Sequence, residues 1–277
     1  MVGICTGLAL VAGSNPLTVI AVRTVGMVAL LLAYFRVAGV SLAMSPRDRA
    51  IAIRIGLLLC ISTYLINAAM AEIPVPLAIL IFYLWPAITT GTSWALGKEH
   101  FRWRVLFGLL FAFTGVGLSL NVEFSAAQWK GVTFAIGGSL VWSAVFLLTE
   151  HFFHGRDTRA TSFTMSATMA AVFSVLCAIT GGLALPSTAA GWAGLSSMPF
   201  FYAFALIGLF VASSALGTSK SGFYMNFEPI ASVLLAVPIL GQRLAPIQLA
   251  GGALVIAALF LFRPLRAAPE PASLSTR

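Results

Sequence analysis

The sequence predicts an all-α membrane protein: ten transmembrane helices arranged as two inverted five-helix repeats. Three observations predict it. Hydrophobic residues make up 60% of the 277 residues and charged residues only 9%, with a mean hydropathy of +0.99. A soluble chain carries roughly a quarter charged residues, so the solvent of this one is lipid. Apolar runs of bilayer-spanning length, roughly 17–25 residues, recur with short breaks. The third observation is a half-length echo. Tyr83-Leu84-Trp85-Pro86-Ala87-Ile88 runs into an apolar helix that stops at Gly97-Lys98-Glu99. Asn226-Phe227-Glu228-Pro229-Ile230-Ala231 does the same and stops at Gly241-Gln242-Arg243, with one residue inserted between Pro and Gly. A glycine-bearing apolar stretch follows each copy, from Gly108 and from Gly251. Segments repeated in this way build a pathway between two halves.

The expected spans are 1–14, 16–35, 54–72, 75–96, 105–121, 131–150, 161–184, 199–216, 219–240 and 245–262. The first is shorter than a bilayer requires and shows no charged leader or cleavage site. The numbered chain is therefore expected to begin inside its first helix. Residues 1–122 form the first repeat, 129–262 the second, and 263–277 a Pro- and Ala-rich disordered tail.

Lys and Arg set the orientation. With the N-terminus in the cytoplasm, the cytoplasmic segments hold Arg36, Arg47, Arg49, Arg54, Lys98, Arg102, Arg104, Arg156, Arg159, Lys220, Arg263, Arg266 and Arg277. The far side holds Lys130 and Arg243, and Arg23 lies inside the second span. This follows the positive-inside rule and puts both termini in the cytoplasm. The net charge of +8 is thereby a membrane signal, and no nucleic-acid partner is expected. An odd number of spans per half makes the second half enter the bilayer upside down, as in alternating-access carriers.

Ionisable groups inside spans stand out, because a charge at mid-bilayer costs on the order of 2.5–3.5 kcal/mol on insertion scales. Glu228 reads equally as a proton-coupling or ammonium-binding group and as a clamp paired with Arg23 or with hydroxyls. Arg23 reads first as a structural, interface residue. Glu72 and Lys220 lie at span ends, where they can snorkel.

Polar stripes follow at helical spacing. Ser221, Tyr224, Glu228 and Ser232 share a face of the ninth span, and Trp85, Thr89 and Ser93 share one on the fourth. Tyr64 and Asn67 lie on the third, Ser139, Ser143 and Glu150 with Trp142 beside them on the sixth, and Tyr202, Ser213 and Ser214 on the eighth. Most Ser and Thr in lipid pack helices or bond back to a carbonyl. Tyr83 and Trp85 lie too deep for an interfacial belt and want polar partners. Pro86 and Pro229 lack an N–H, so they free the carbonyls of Phe82 and Met225. Irregular backbone in hydrocarbon is tolerated where protein or a water-lined cavity satisfies it. The two matched prolines thus point to one central chamber and are its hinge candidates. Gly108, Ala112 and Gly115, with Gly251 and Gly252, read as close-packing faces of an internal scaffold.

Several classes are excluded. There is no Walker motif, no paired acid for prenyl chemistry, no Ser-His-Asp set within the spans and no mid-span Lys. Cys5, Cys60 and Cys177 have no metal spacing and read as small core residues. His100, His151 and His154 fall in loops, and His151 with His154 lacks further ligands. The protein is expected to be no enzyme, to need no metal or cofactor, and to work as a monomer in the bilayer.

These residues resemble the EamA-type branch of the drug/metabolite transporter superfamily. Its repeat signature, Glu-Pro near mid-helix and then Gly-x-(Glu/Arg), is matched by Glu228-Pro229 and Gly241-Gln242-Arg243. In the first half Trp85-Pro86 replaces Glu-Pro. That Tyr83-Leu84-Trp85-Pro86 variant resembles the YddG-like exporters of aromatic amino acids. The resemblance implies a bacterial inner-membrane carrier exporting neutral, preferably aromatic, amino acids such as Trp, Phe and Tyr. It implies a cavity formed mainly by the third, fourth, eighth and ninth helices. Carried onto this chain, its wall candidates are Tyr64, Asn67, Tyr83, Trp85, Tyr202, Ser213, Tyr224 and Glu228, with Trp142 added from the sixth span. A broad exporter of planar or cationic drugs is the alternative, and a membrane-embedded lipid-modifying enzyme a more distant one.

Overall fold

The computed structural model describes residues 2–95, 97, 103–119, 126–153, 157–216, 235, 239 and 245–261. All described regular structure is helical: α1 (Val2–Val11), α2 (Pro16–Val37), α3 (Pro46–Glu72), α4 (Val75–Phe82), α5 (Trp85–Ala95), α6 (Trp103–Ser119), α7 (Ala126–Phe153), α8 (Thr158–Thr180), α9 (Ala189–Leu216) and α10 (Pro246–Leu261). Among the described residues, six segments are long and apolar enough to cross a membrane: Pro16–Val37, Pro46–Glu72, Val75–Ala95, Gln128–Phe153, Thr158–Thr180 and Ala189–Gly208. The expected ninth span, 219–240, lies almost wholly outside the described residues, as does the tail.

Local chemistry sets the ends. Asn15 caps α2 by accepting from the Thr18 amide at 2.8 Å, and Pro16 opens the helix. Ser45 caps α3 in the same way through Asp48 at 3.1 Å, again followed by proline. Proline is tolerated there because the first-turn N–H has no helical acceptor. Asp157 caps α8 through Arg159, and Gly181, at φ 59°, closes it in the left-handed region.

Four expected boundaries are corrected. α3 starts at Pro46 rather than 54, because its first turns carry Arg47, Asp48 and Arg49, which hydropathy discounts although they are helical. At about 1.5 Å per residue its 27 residues reach about 40 Å, so those turns stand clear of a hydrocarbon core of about 30 Å. α7 begins at Ala126 rather than 131, and α8 stops at Thr180 rather than 184, where Gly181 ends it. α9 begins at Ala189, so Pro199 is internal rather than the first residue of its span. Gly26 of α2 faces it: a Cβ on Gly26 would lie 2.7 Å from the Pro199 ring.

The helices pack as a network of seams. α6 lies along α10, where a Cβ on Gly115 would be 2.6 Å from the Gly251 carbonyl. The small-residue scaffold expected from Gly115 and Gly251 is therefore real. α3 lies along α7, held by Ser62 Oγ donating to the Gly138 carbonyl at 2.8 Å. α1 lies along α9, with Cys5 Sγ 3.4 Å from Ser197 Oγ. α2 meets both α8 and α9, and α3 meets α8. Exchanging α1 with α7, α2 with α8, α3 with α9 and α6 with α10 maps this set of seams onto itself.

Hydroxyls behave as lipid dictates. Thr24, Thr89, Thr90, Thr149, Thr164 and Thr168 each donate to the carbonyl four residues back. Cys5, Cys60 and Cys177 are free and buried. At one end of the bundle, Lys130 Nζ reaches Glu72 Oε1 at 2.9 Å between α7 and α3. At the α1–α2 and α8–α9 turns, Asn15 Nδ2 donates to the Gly182 carbonyl at 2.6 Å and Ser187 Oγ to the Ala12 carbonyl at 2.9 Å.

Candidate functional site

The fourth span is two helices. Seven of the eight residues of α4, Val75 to Ile81, are buried. At its end the Tyr83 amide donates to the Ile79 carbonyl at 3.0 Å, and the Leu84 amide tightens to Ile81 at 3.1 Å. The chain then restarts as α5, with Trp85 first and Pro86 second. Pro86 therefore does not bend a continuous helix, as the sequence suggests. It sits in a first turn, where the missing N–H leaves no helical bond unmade. The Phe82 carbonyl becomes part of the α4 terminus.

Rings gather at this break. Trp142 of α7 lies 5.7 Å from Phe82 at 67° and 6.5 Å from Trp85 at 64°, both edge-to-face. Phe146, one turn further along α7, lies 5.3 Å from Trp85. Tyr83 stands edge-on to Phe82 at 6.3 Å. Such pairs contribute about 0.5–1.5 kcal/mol each beyond area burial. Phe82, Tyr83, Trp85 and Trp142 are only half-buried, and Phe146 is 45% exposed, so the cluster keeps open ring surface.

A hydroxyl pair lies one turn away. Thr89 Oγ1 donates to the Trp85 carbonyl at 2.7 Å, which uses its single proton. Ser143 therefore donates across the α5–α7 seam to Thr89 at 2.8 Å. Thr89, Ser143, Ser139 and Ser93 are all buried, while Glu150, on the same α7 stripe, is exposed. The arrangement presents ring faces beside a hydroxyl pair. Among the described residues, no cluster of three His, Cys, Asp or Glu could hold a metal.

The cluster unites three of the expected wall residues, Tyr83, Trp85 and Trp142. Tyr64 on α3 is 41% exposed. Asn67, one turn on, is buried; its Nδ2 donates to the Thr63 carbonyl at 2.8 Å while its Oδ1 has no partner. Tyr202 on α9 lies beneath the Arg23 guanidinium, 4.7 Å from its ring centre. Ser213 and Ser214 fall within α9, with side chains outside the description, and Tyr224, Glu228 and Pro229 lie outside the described residues. Sequence reasoning missed Phe82 and Phe146 as cluster members. Phe146 was findable: it sits four residues after Trp142, on the same helix face.

Long apolar helices, a span broken halfway through and glycine-tight seams define a multi-span membrane protein. The chain belongs to the EamA-like transporter family, whose sequence model matches residues 2–121 and again 129–263. A solved structure, titled only as a crystal structure of a protein, is 18% identical over 94% of this chain and 94% of its own, with a TM-score of 0.59. That likeness concerns the fold alone. Among curated proteins no match is found.

Proposed function

We propose that this transporter exports neutral, preferably aromatic, amino acids across a bacterial inner membrane by alternating access. Ten spans form two inverted halves, 1–122 and 129–262, with both termini and the tail 263–277 in the cytoplasm. The observation that carries the substrate reading is the half-open ring cluster of Phe82, Tyr83, Trp85, Trp142 and Phe146 at the broken span. Planar side chains of a substrate stack on such surfaces, and the Thr89–Ser143 pair supplies a polar edge. The self-mapping seams support two related halves, since structural repeats exchange partners about a pseudo-two-fold axis; the odd number of spans per half makes them inverted. Tyr64, Asn67, Tyr202, Ser213, Tyr224 and Glu228 complete the wall in this reading, and the chain segments at Pro86 and Pro229 give way as the halves rock.

The test is tryptophan flux in proteoliposomes holding only this protein, with the pH gradient imposed or collapsed. Saturable tryptophan flux supports the reading. Flux driven by an opposing proton gradient makes it an antiporter with Glu228 as the leading candidate for the proton site, and flux indifferent to pH makes it a facilitator. Absence of tryptophan flux, with transport of a planar organic cation, replaces the amino acid by a drug-like substrate.

A further inference from the structure

The buried cation on α2 has no role in the ring cluster. Arg23 is only 6% exposed, well inside an apolar span. Its guanidinium lies over the Tyr202 ring of α9 at 4.7 Å, and its Nε has no hydrogen-bond partner. Apolar layers flank it along the seam. Val19, Leu195 and Met198 pack on one side, and Met27, Leu31 and Ala203 on the other. The Gly26–Pro199 contact brings the two helices together one turn away. Glu72 and Asp157 are committed to other cations, Lys130 and Arg159, at helix ends.

An aromatic face attracts a cation but does not neutralise it. A desolvated guanidinium with an unused donor is a site for a planar anion, because its fork of N–H groups matches a carboxylate. We propose that Arg23, braced by Tyr202, is the carboxylate-binding group of the transport pathway and takes the α-carboxylate of the exported amino acid. The inference rests on the amino-acid reading above. Two carboxylates share the required chemistry, that of the substrate and that of Glu228, the acid within the apolar ninth segment of the sequence. The substrate is favoured because a zwitterion crossing the bilayer must itself have its carboxylate satisfied at every depth.

The experiment compares tryptophan with tryptophan amide, which keeps the ring and ammonium but lacks the carboxylate, in proteoliposomes of wild type, Arg23→Lys, Arg23→Gln, Glu228→Gln and the Arg23→Gln/Glu228→Gln double variant. Wild type is expected to prefer tryptophan. Arg23→Gln is expected to raise the tryptophan KM about tenfold or more, the scale of losing a charge-assisted hydrogen bond, while leaving the amide within about twofold. Arg23→Lys is expected to recover part of the preference. Thermal stabilisation of detergent-solubilised wild type by tryptophan but not by the amide gives the same answer without a functional Arg23→Gln protein. Equal losses for both ligands in Arg23→Gln, or a wild type that moves both without preference, overturn the inference. Restoration of tryptophan transport in the double variant overturns it in favour of an Arg23–Glu228 pair. A wild type that moves neither ligand overturns the amino-acid reading itself.

Discussion

Substituting Gly115 by alanine probes the α6–α10 seam on which the scaffold rests. The added Cβ would lie 2.6 Å from the Gly251 carbonyl oxygen and 2.8 Å from the Val255 amide nitrogen. Ordinary contact begins at 3.4 Å, so the helices must separate by about 0.8 Å (3.4 − 2.6), and both obstacles are backbone. Overpacking of this kind costs about 1–3 kcal/mol, against a gain of up to about 1 kcal/mol from replacing a helical glycine. Gly208→Ala on α9 is the control, because a Cβ there meets nothing within 4 Å. It collects the propensity gain alone. Gly115→Ala is therefore expected to be about 1–3 kcal/mol less stable than Gly208→Ala. Unfolding by denaturing detergent in mixed micelles, followed by helicity, measures the difference. Equal midpoints for the two variants would refute the claim that this seam is closed to a single methyl group.

Other expectations follow from the site and the caps. Trp85→Ala removes the ring that meets both Trp142 and Phe146 and should lower aromatic transport several-fold more than aliphatic transport, about 1 kcal/mol in transfer to the site; competition assays with leucine and tryptophan measure it, and equal losses argue against stacking. Thr89→Val strips Ser143 of its cross-helix acceptor and should destabilise the fold by about 1–3 kcal/mol in a melt. Glu228→Gln should flatten the pH profile of flux if the transporter is proton-coupled; an unchanged profile removes the acid from coupling. The Arg159 guanidinium holds the Asp157 carboxyl below the usual carboxylate range. A depressed folded pKa means that this contribution is fully present above the unfolded value, about 4, and fades as pH falls through the folded one. Asp157→Asn keeps a capping oxygen but removes the charge, so it should melt slightly below wild type at neutral pH, where the pair is intact, and converge on wild type in acid, where the wild-type carboxyl is protonated; equal melting at neutral pH would remove the pair from the stability of α8.

How much was legible in the sequence depends on the kind of signal. Hydropathy placed the interiors of α2, α3, α7 and α8, because a bilayer demands long apolar runs whatever their neighbours. It failed at their ends, where Arg47 and Asp48 sit in helical turns outside the lipid and Gly181 stops α8 by geometry rather than polarity. Pro199 read as a boundary, since sequence does not reveal the glycine on another helix that gives its ring room. Glycines at helical spacing marked α6 and α10 as close-packing faces, though not as partners of one another. At the candidate site, Trp85 and Tyr83 were visible as deep aromatics, but the meeting of α4, α5 and α7 is tertiary. The Thr89–Ser143 bond likewise joins two stripes that were each legible alone. Arg23 was legible as an expensive residue, though not as a cation seated on Tyr202.

The three native thiols have a practical consequence. Cys5 belongs to the α1–α9 seam, whereas Cys60 and Cys177 both face the layer shared by α2, α3 and α8. Each is shut away by helix packing, so a thiol-reactive dye will find the folded protein largely silent. Its signal then rises as the seams part, on different helices and in their own order. The chain thus carries its own unfolding reporters, and a cysteine placed on an exposed turn such as Val37, 90% exposed, can be labelled selectively without first removing the native ones.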